Sequence, residues 1–144
     1  MKREFTHRGR QLDEQSALMQ ALWPGERAFD GEYWRCDDAR FGPLPEVAPE
    51  IWIGGKSEWA AARAARFGAV WHPIELTAED IARAREERPD LRIVPRVTTD
   101  DVATLAEGIE AMRDAGADGV AAGLTIGPPA PATRSQRLSV PSCR

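Results

Sequence analysis

Cysteine and histidine are scarce in this chain, and their scarcity limits the chemistry it can support. The 144 residues include two cysteines and two histidines, and no CxxC, HExxH or histidine cluster occurs. The sequence therefore predicts no metal site. Cys36 and Cys143 lie far apart, so a disulfide has no support and a reducing cytoplasm is the simplest compartment. Cys36 has no neighbouring base that would activate it as a nucleophile.

Long apolar runs and excess positive charge are also missing. No stretch approaches the ~20 apolar residues of a membrane span. The basic N-terminal residues are not followed by the apolar segment of a secretory signal. The net charge of −4 provides no attraction for nucleic acid or for an anionic membrane. We therefore expect a cytoplasmic protein without nucleic-acid or membrane partners.

What the sequence does contain is a regular alternation of strand and helix signals. Short apolar runs predict strands over residues 51–53, 69–74, 91–97 and 119–124. Alanine-rich or amphipathic segments between them predict three helices, whose N-caps are Ser57, Thr77, and Asp100 or Asp101. The order β-α-β-α-β-α-β predicts a parallel sheet with helices packed outside it.

Before this alternation the pattern is less regular. A helix is predicted over residues 10–23, with an apolar side formed by Leu12, Met19, Leu22 and Trp23. A strand-like piece over 33–36 and a proline-rich connector follow, and they predict a short excursion from the sheet. The C-terminal residues are rich in proline, serine and arginine. We therefore expect one domain over 1–126 and a disordered tail over 127–144.

The most informative stretch is "EIWIGGKSEWAAARAARFG", residues 50–68. Gly54 and Gly55 end a predicted strand, and Lys56 and Ser57 lead into a helix. Glycines let the backbone approach a ligand, and the free N–H groups of a helix start suit a phosphate. The same residues fit an ordinary turn with a capping serine and a solvated lysine. The spacing matches neither a Walker loop nor GxGxxG, so residue types leave both interpretations open.

Two longer stretches carry a resemblance to a known family: "RGRQLDEQSALMQALWPGERAFDGEYWRCDDARFGPLP" and "PEIWIGGKSEWAAARAARFGAVWHPI". They contain a helix ending in "ALW", an excursion with "FDGEYWR", a turn with "IWIGG" and a segment "ARFGAVWHP". Over residues 8–75 this combination resembles the later part of the luciferase-like monooxygenase family, in its flavin- or deazaflavin-dependent branch. The pattern continues less specifically to Leu124.

The resemblance implies an α/β fold, namely a partial TIM (β/α)8 barrel of about the last four βα units with a short excursion before them. It implies an oxidoreductase that uses reduced flavin or deazaflavin, with FMN or coenzyme F420 as cofactor and a small molecule as substrate. The cofactor phosphate is then expected at Gly54, Gly55, Lys56 and Ser57. Where the family has Gly-Asp-Gly-Trp, this chain has residues 68–71, "GAVW", so no role for that turn is carried over.

A complete TIM barrel has eight βα units in about 250 residues, whereas four strands are predicted here. The resemblance therefore implies that the first barrel strands are absent, and a truncated chain is one hypothesis. A half-barrel has two open strand edges, which predicts homo-oligomers that associate through them. Two alternatives stay open: a non-catalytic remnant that retains at most a phosphate-binding turn, and an unrelated phosphate-binding α/β enzyme.

Four further side chains are candidates for the site. His72, at the end of a predicted strand, is either an acid–base group or substrate contact, or a partly buried histidine held by hydrogen bonds. Trp52 and Trp71 either stack on a flat ring or pack in the sheet. Arg96 either meets an anion or covers an exposed edge.

Overall fold

Four parallel strands and the helices that connect them form the body of the molecule. The computed structural model describes residues 7–125, and the predicted tail over 127–144 lies outside this range. In chain order the described elements are α1 (Arg8–Leu22), β1 (Phe29–Asp30), β2 (Arg35–Cys36), β3 (Trp52–Gly54), α2 (Glu58–Arg66), β4 (Val70–His72), α3 (Ala78–Glu87), β5 (Arg96–Thr99), α4 (Val102–Asp114) and β6 (Ala121–Leu124). The alternation predicted from residue 51 onward is confirmed.

The four parallel strands β3 to β6 lie side by side in chain order. β3 pairs with β4 and β5 pairs with β6, both in parallel. Two parallel bridges, Trp71 with Ile93 and Ile74 with Arg96, join the two pairs across the middle. Consecutive parallel strands joined by helices are the repeating unit of a βα barrel. The carboxyl ends of β3 to β6 therefore lie along one rim.

The two faces of this sheet have different environments. Ile53, Trp71 and Ile93 are buried in the core that the sheet forms with α2 and α3. The alanines of α2 at 60, 61 and 64 belong to the same core, and their small side chains let the helix lie close to the strands. Because side chains alternate along a strand, Trp52 and His72 project from the other side. We call that side the helix-distal face.

α4 lies equally close to β5. A Cβ atom at Gly108 would come within 2.9 Å of the Val97 side chain, so only glycine allows this approach. Glycine inside a helix costs about 1 kcal/mol relative to alanine. Close packing of α4 against Val97 offsets this cost. Because Val97 faces the helix, its neighbours Arg96 and Thr98 lie on the helix-distal face.

The predicted N-caps are confirmed at the three helices that follow strands. The Ser57 side chain accepts a hydrogen bond from the N–H of Ala60, and the Asp101 side chain accepts one from Thr104. At α3, Thr77 and Asp80 form a reciprocal capping box. The N–H of Thr77 donates to the Asp80 carboxylate and lowers its pKa below the ordinary value. These local bonds satisfy amides that a helix start otherwise leaves without partners.

The predicted strand over 91–97 is displaced toward the C-terminus. Within residues 91–95, Ile93 forms an isolated parallel bridge with Trp71 and Pro95 is buried, but the regular ladder begins at Arg96. The cause is Pro95 itself, because proline has no N–H to donate; its carbonyl still accepts from Ala121.

α1 attaches to the rest of the chain through polar contacts more than through the predicted apolar side. Leu12 is exposed, and the buried residue of this helix is Ser16, whose hydroxyl donates to the carbonyl of Leu12. Asp13 forms ion pairs with Arg63 and Arg66 of α2.

The excursion that follows α1 is a small antiparallel hairpin of β1 and β2. The carboxylate of Glu14, on α1, accepts hydrogen bonds from three consecutive backbone amides of its turn, at Glu32, Tyr33 and Trp34. One acidic side chain thus fixes the hairpin to the helix, and the predicted excursion is confirmed.

Candidate cofactor-binding site

The Gly54–Ser57 turn lies where β3 ends, on the rim formed by the strand exits. Gly54 is the last residue of β3, and a Cβ atom added there would meet no atom within 4 Å. Gly55 has φ = 111°, a backbone conformation that side chains with a Cβ rarely adopt. All four residues of the turn are exposed. The space in front of the turn is therefore free for a ligand to reach the backbone.

The path of the turn is fixed from below by Trp71. Its indole N–H donates to the carbonyl of Gly55 at 2.8 Å, and the ring itself is buried in the core. The bond turns the Gly55 carbonyl inward, toward the core. Trp71 is thus a packing residue with one positioning hydrogen bond, and it is not available to stack on a ligand.

The start of α2 supplies hydrogen-bond donors beside the glycines. The Ser57 side-chain oxygen and backbone carbonyl engage the N–H of Ala60, and the carbonyl also accepts from Ala61. The N–H groups at 58 and 59 precede these and have no intrahelical acceptor. They lie at the positive end of the helix dipole. Ser57 therefore acts as the N-cap, and its hydroxyl hydrogen is still available for a ligand.

Lys56 is not fully solvated, as it would be in an ordinary turn with a capping serine. Its Nζ lies 3.1 Å from a carboxylate oxygen of Glu75, in the loop after β4. Glu75 has φ = 57°, the left-handed region that non-glycine residues seldom occupy. Both side chains are largely exposed, and exposed pairs of this kind contribute about 0–1 kcal/mol. An incoming anion can therefore compete with Glu75 for the lysine.

His72 stands next to the turn on the neighbouring strand. It is the register partner of Gly54, and its ring lies 5.2 Å from that of Trp52. Nδ1 is 2.6 Å from the carbonyl oxygen of Val94. A carbonyl only accepts, so Nδ1 carries the hydrogen and Nε2 is the acceptor of the neutral ring. His72 is therefore a partly buried histidine held by a hydrogen bond, one of the two roles considered from the sequence, and its Nε2 is still available to a ligand.

Trp52 has a different environment from Trp71. It is 46% exposed on the helix-distal face, and its indole N–H donates to Glu50 at 2.7 Å. Its ring is thus partly available beside His72. Arg96 also lies on this face, two strands away from the turn. These side chains are recognisable as candidates from the sequence, whereas Glu75 is not. Nothing in a lone glutamate before a helix indicates a left-handed backbone or a lysine partner nineteen residues earlier.

No group of three or more histidine, cysteine or acidic side chains within residues 7–125 is arranged to hold a metal ion. Over the same residues, the structure contains no helix with the length and apolar character needed to cross a bilayer.

Comparison with known proteins identifies the family of this chain. The profile of the luciferase-like monooxygenase family matches residues 1–94, which is more than half of the chain. The chain belongs to the luciferase-like monooxygenase family. The resemblance noted at the "FDGEYWR" and "IWIGG" segments is therefore confirmed, and an origin in an unrelated phosphate-binding fold is excluded.

Two characterised relatives match this luciferase-like chain over a short region. An F420-dependent hydroxymycolic acid dehydrogenase of Mycobacterium tuberculosis is 32% identical over 68 residues, which is 46% of this chain and 19% of the relative. An F420-dependent glucose-6-phosphate dehydrogenase of Nocardia farcinica is 39% identical over 66 residues, which is 45% of this chain and 20% of the relative. The matches thus span about a fifth of each relative's length.

A solved structure of the family shows the fold. An F420-dependent secondary alcohol dehydrogenase, in complex with an F420-acetone adduct, superposes with a TM-score of 0.70 at 11% identity. The superposition covers 86% of this luciferase-like chain and 58% of the dehydrogenase chain. Together with the parallel βα order of β3 to β6, it confirms the predicted partial barrel.

Proposed function

We propose that this chain is part of a coenzyme F420-dependent oxidoreductase in which the Gly54–Ser57 turn holds the phosphate of the cofactor. The observation that carries the proposal is the exposed turn at the exit of β3, in a family whose matched relatives are F420-dependent. When bound, the deazaflavin supplies the hydride chemistry, and the protein supplies binding and orientation. A small organic molecule is the expected substrate.

The chemistry of the turn fits a phosphate monoester or diester. Gly54 leaves open space for the phosphate oxygens, and the positive φ of Gly55 directs the chain into the helix start. The free amides at 58 and 59 and the Ser57 hydroxyl are neutral donors, and Lys56 adds a positive charge. The bound anion needs no rearrangement of the core, because every one of these groups is exposed.

His72 and Trp52 are placed to contact the ligand beyond its phosphate. They lie on the helix-distal face next to Gly54, with the Trp52 ring half exposed and Nε2 of His72 unused by the Val94 contact. In the proposed complex Nε2 accepts a hydrogen bond from the ligand. This assigns His72 a binding role and leaves the redox step to the cofactor.

Titration with coenzyme F420, with FMN in a parallel series, tests the proposal. Binding is followed by the fluorescence of each cofactor. Gly54→Asp and Gly54→Asn form a matched pair, because both side chains enter the same open space and only one carries a charge. A carboxylate several ångströms from a phosphate opposes binding by about 1–3 kcal/mol. We therefore expect the Kd for F420 to rise about tenfold or more in Gly54→Asp relative to Gly54→Asn.

The outcomes separate the alternatives. Binding of F420 that is weakened selectively by Gly54→Asp supports the proposal, and preferential binding of FMN would reassign the cofactor while keeping the site. If neither cofactor binds the folded chain, the non-catalytic alternative is favoured. Equal Kd values for the two variants would place any bound phosphate away from the turn.

A further inference from the structure

A second recess lies two strands away from the Gly54–Ser57 turn. It encloses about 470 Å³ and is lined by Ile74, Glu75, Leu76, Arg96, Val97, Thr98 and Met112. The cause of the recess is the different length of two neighbouring strands. β4 ends at His72, and the last bridge between this segment and β5 joins Ile74 to Arg96. β5 itself continues to Thr99. The recess therefore sits beside β5, beyond the end of β4.

Arg96 brings an uncompensated positive charge to this recess. It is exposed, and neither an ion pair nor a side-chain hydrogen bond joins it to another residue of the described range 7–125. The arginines at 63, 66, 85 and 92 all have carboxylate partners. A guanidinium presents several donors in a planar fork that matches a carboxylate or a phosphate. The guanidinium of Arg96 is thus a cation whose hydrogen-bond donors are available to a ligand.

Thr98 adds a hydroxyl to the polar end of the recess, and Gly123 on the neighbouring strand leaves room beside it. A Cβ atom placed at Gly123, on β6, would lie 3.4 Å from the Thr98 hydroxyl oxygen and 3.9 Å from a terminal nitrogen of Arg96. The hydroxyl and the guanidinium therefore converge over the bare backbone of Gly123. Both can donate to the same small anion, because a hydroxyl and a guanidinium are each hydrogen-bond donors.

The rest of the lining is mainly apolar. Ile74, Leu76 and Met112 supply hydrophobic surface, and the volume falls in the range of about 300–1,000 Å³ that small-molecule sites occupy. Glu75 also borders the recess, but its carboxylate is paired with Lys56 at 3.1 Å. A negatively charged ligand is therefore attracted by Arg96 at one end, and at the other end it meets a carboxylate whose repulsion Lys56 reduces without removing it.

We infer that this recess is a binding site for an organic anion, in which Arg96 and Thr98 hold a carboxylate or phosphate and the apolar lining holds the attached hydrocarbon body. Gly54 and Arg96 belong to strands two apart, and Arg96 pairs with Ile74, two residues beyond His72, the register partner of Gly54. At normal strand spacing and rise, this places their backbones roughly 12 Å from each other. The recess is thus separate from the turn. The identification of this anion as the substrate rests on the proposed function, whereas the binding itself does not.

Binding is tested on the full chain without cofactor, by following backbone amide signals in 1H–15N NMR titrations. The probes are 3-phenylpropionate, phenyl phosphate and the uncharged 3-phenylpropan-1-ol. We expect either anion to shift the amide signals of Arg96, Thr98 and Gly123, and the preferred anion identifies the head group. The alcohol is expected to bind at least about fivefold more weakly, because it lacks the charge. The same titration with F420 tests the Gly54–Ser57 turn independently.

Variants assign the effect to side chains. Arg96→Gln is expected to weaken binding of the preferred anion at least about fivefold, and Thr98→Val by a smaller factor. Neither side chain has a hydrogen-bond or ion-pair partner among residues 7–125, so its replacement removes no contact of this kind, and the dispersion of the amide spectrum verifies folding. Arg113→Gln, an exposed arginine of α4 outside the lining, is the matched control and should leave the Kd unchanged. Glu75→Gln should tighten binding.

The inference is overturned by any of three results. These are equal affinity for the alcohol and the acids, unchanged affinity in both Arg96→Gln and Thr98→Val, or no binding of either anion. A loss of F420 binding with retained binding of an anion would reject the proposed function alone.

Discussion

Gly54 and Gly55 are adjacent, yet substitution by alanine is expected to destabilise the fold only at Gly55. Alanine at 55 must adopt φ near 111°, which strains a residue with a Cβ by about 1–3 kcal/mol. Alanine also lowers the entropy of the unfolded chain, which contributes about 0.4–1 kcal/mol in favour of folding. Gly55→Ala should therefore lower the free energy of unfolding by about 1–2 kcal/mol. Contact with the Ala60 methyl, at 3.4 Å, adds little.

At Gly54 the strain term is absent. Its φ is not positive, and the added methyl group meets no atom within 4 Å. The entropy term alone then applies, so Gly54→Ala should leave the free energy of unfolding unchanged or raise it by up to about 0.5–1 kcal/mol. This variant is the control for the first, because it has the same composition and the same place in the turn.

Urea unfolding followed by tryptophan fluorescence measures both changes, with buried Trp71 as the informative probe. Thermal unfolding should show the Gly55→Ala midpoint lower than wild type by roughly 3–8 °C. Equal effects of the two substitutions, or a neutral Gly55→Ala, would refute the argument that backbone conformation at this turn requires glycine.

Two further predictions concern the structure that supports the site. Arg85→Met should lower the free energy of unfolding by about 2–4 kcal/mol, because its guanidinium donates to the carbonyls of Leu91 and Gly116 and to the Asp118 carboxylate. Partial burial raises the pKa of Asp118, but the Ile93 amide and Arg85 more than offset it, so the pKa lies below its ordinary value. A depressed pKa contributes stability that is lost as the pH falls below about 4, and urea midpoints measured against pH should show a smaller acid loss in Arg85→Met. Thr77→Ala should cost about 1 kcal/mol by removing the N-cap of α3, whereas Thr77→Ser should retain most of it, as a pair of urea curves would show.

The parts of the fold that could be predicted are those encoded by local signals. The alternation from residue 51 onward follows from apolar runs and helix caps that lie within a few residues of each other. Ser57 and Thr77 are visible as N-caps because each amide they bind is three residues away. The parallel order of the strands then follows from the topology of βα units.

What could not be predicted depends on residues that are distant in sequence. At α1 the predicted apolar side is only part of the attachment: Leu12 is exposed, and Asp13 also holds the helix through arginines fifty or more residues later. The role of Trp71 in orienting the Gly55 carbonyl arises only once β4 lies beside β3. The site residues themselves were named from the turn and the resemblance, but the pairing of Lys56 with Glu75 was not. Self-association through strand edges stays a prediction.

Two of the four donor groups proposed for the phosphate at the Gly54–Ser57 turn are main-chain amides, those of residues 58 and 59, and this has a consequence for how the proposed site tolerates sequence change. Truncating side chains one at a time leaves every peptide N–H in place, so alanine scanning would miss the contribution of these amides to the proposed recognition. Replacement of Lys56 should then cost only a modest part of the binding affinity, since its charge supplements the amide donors. The vulnerable positions are the ones that steer the chain: the glycine with the unusual torsion and the buried indole that anchors its carbonyl.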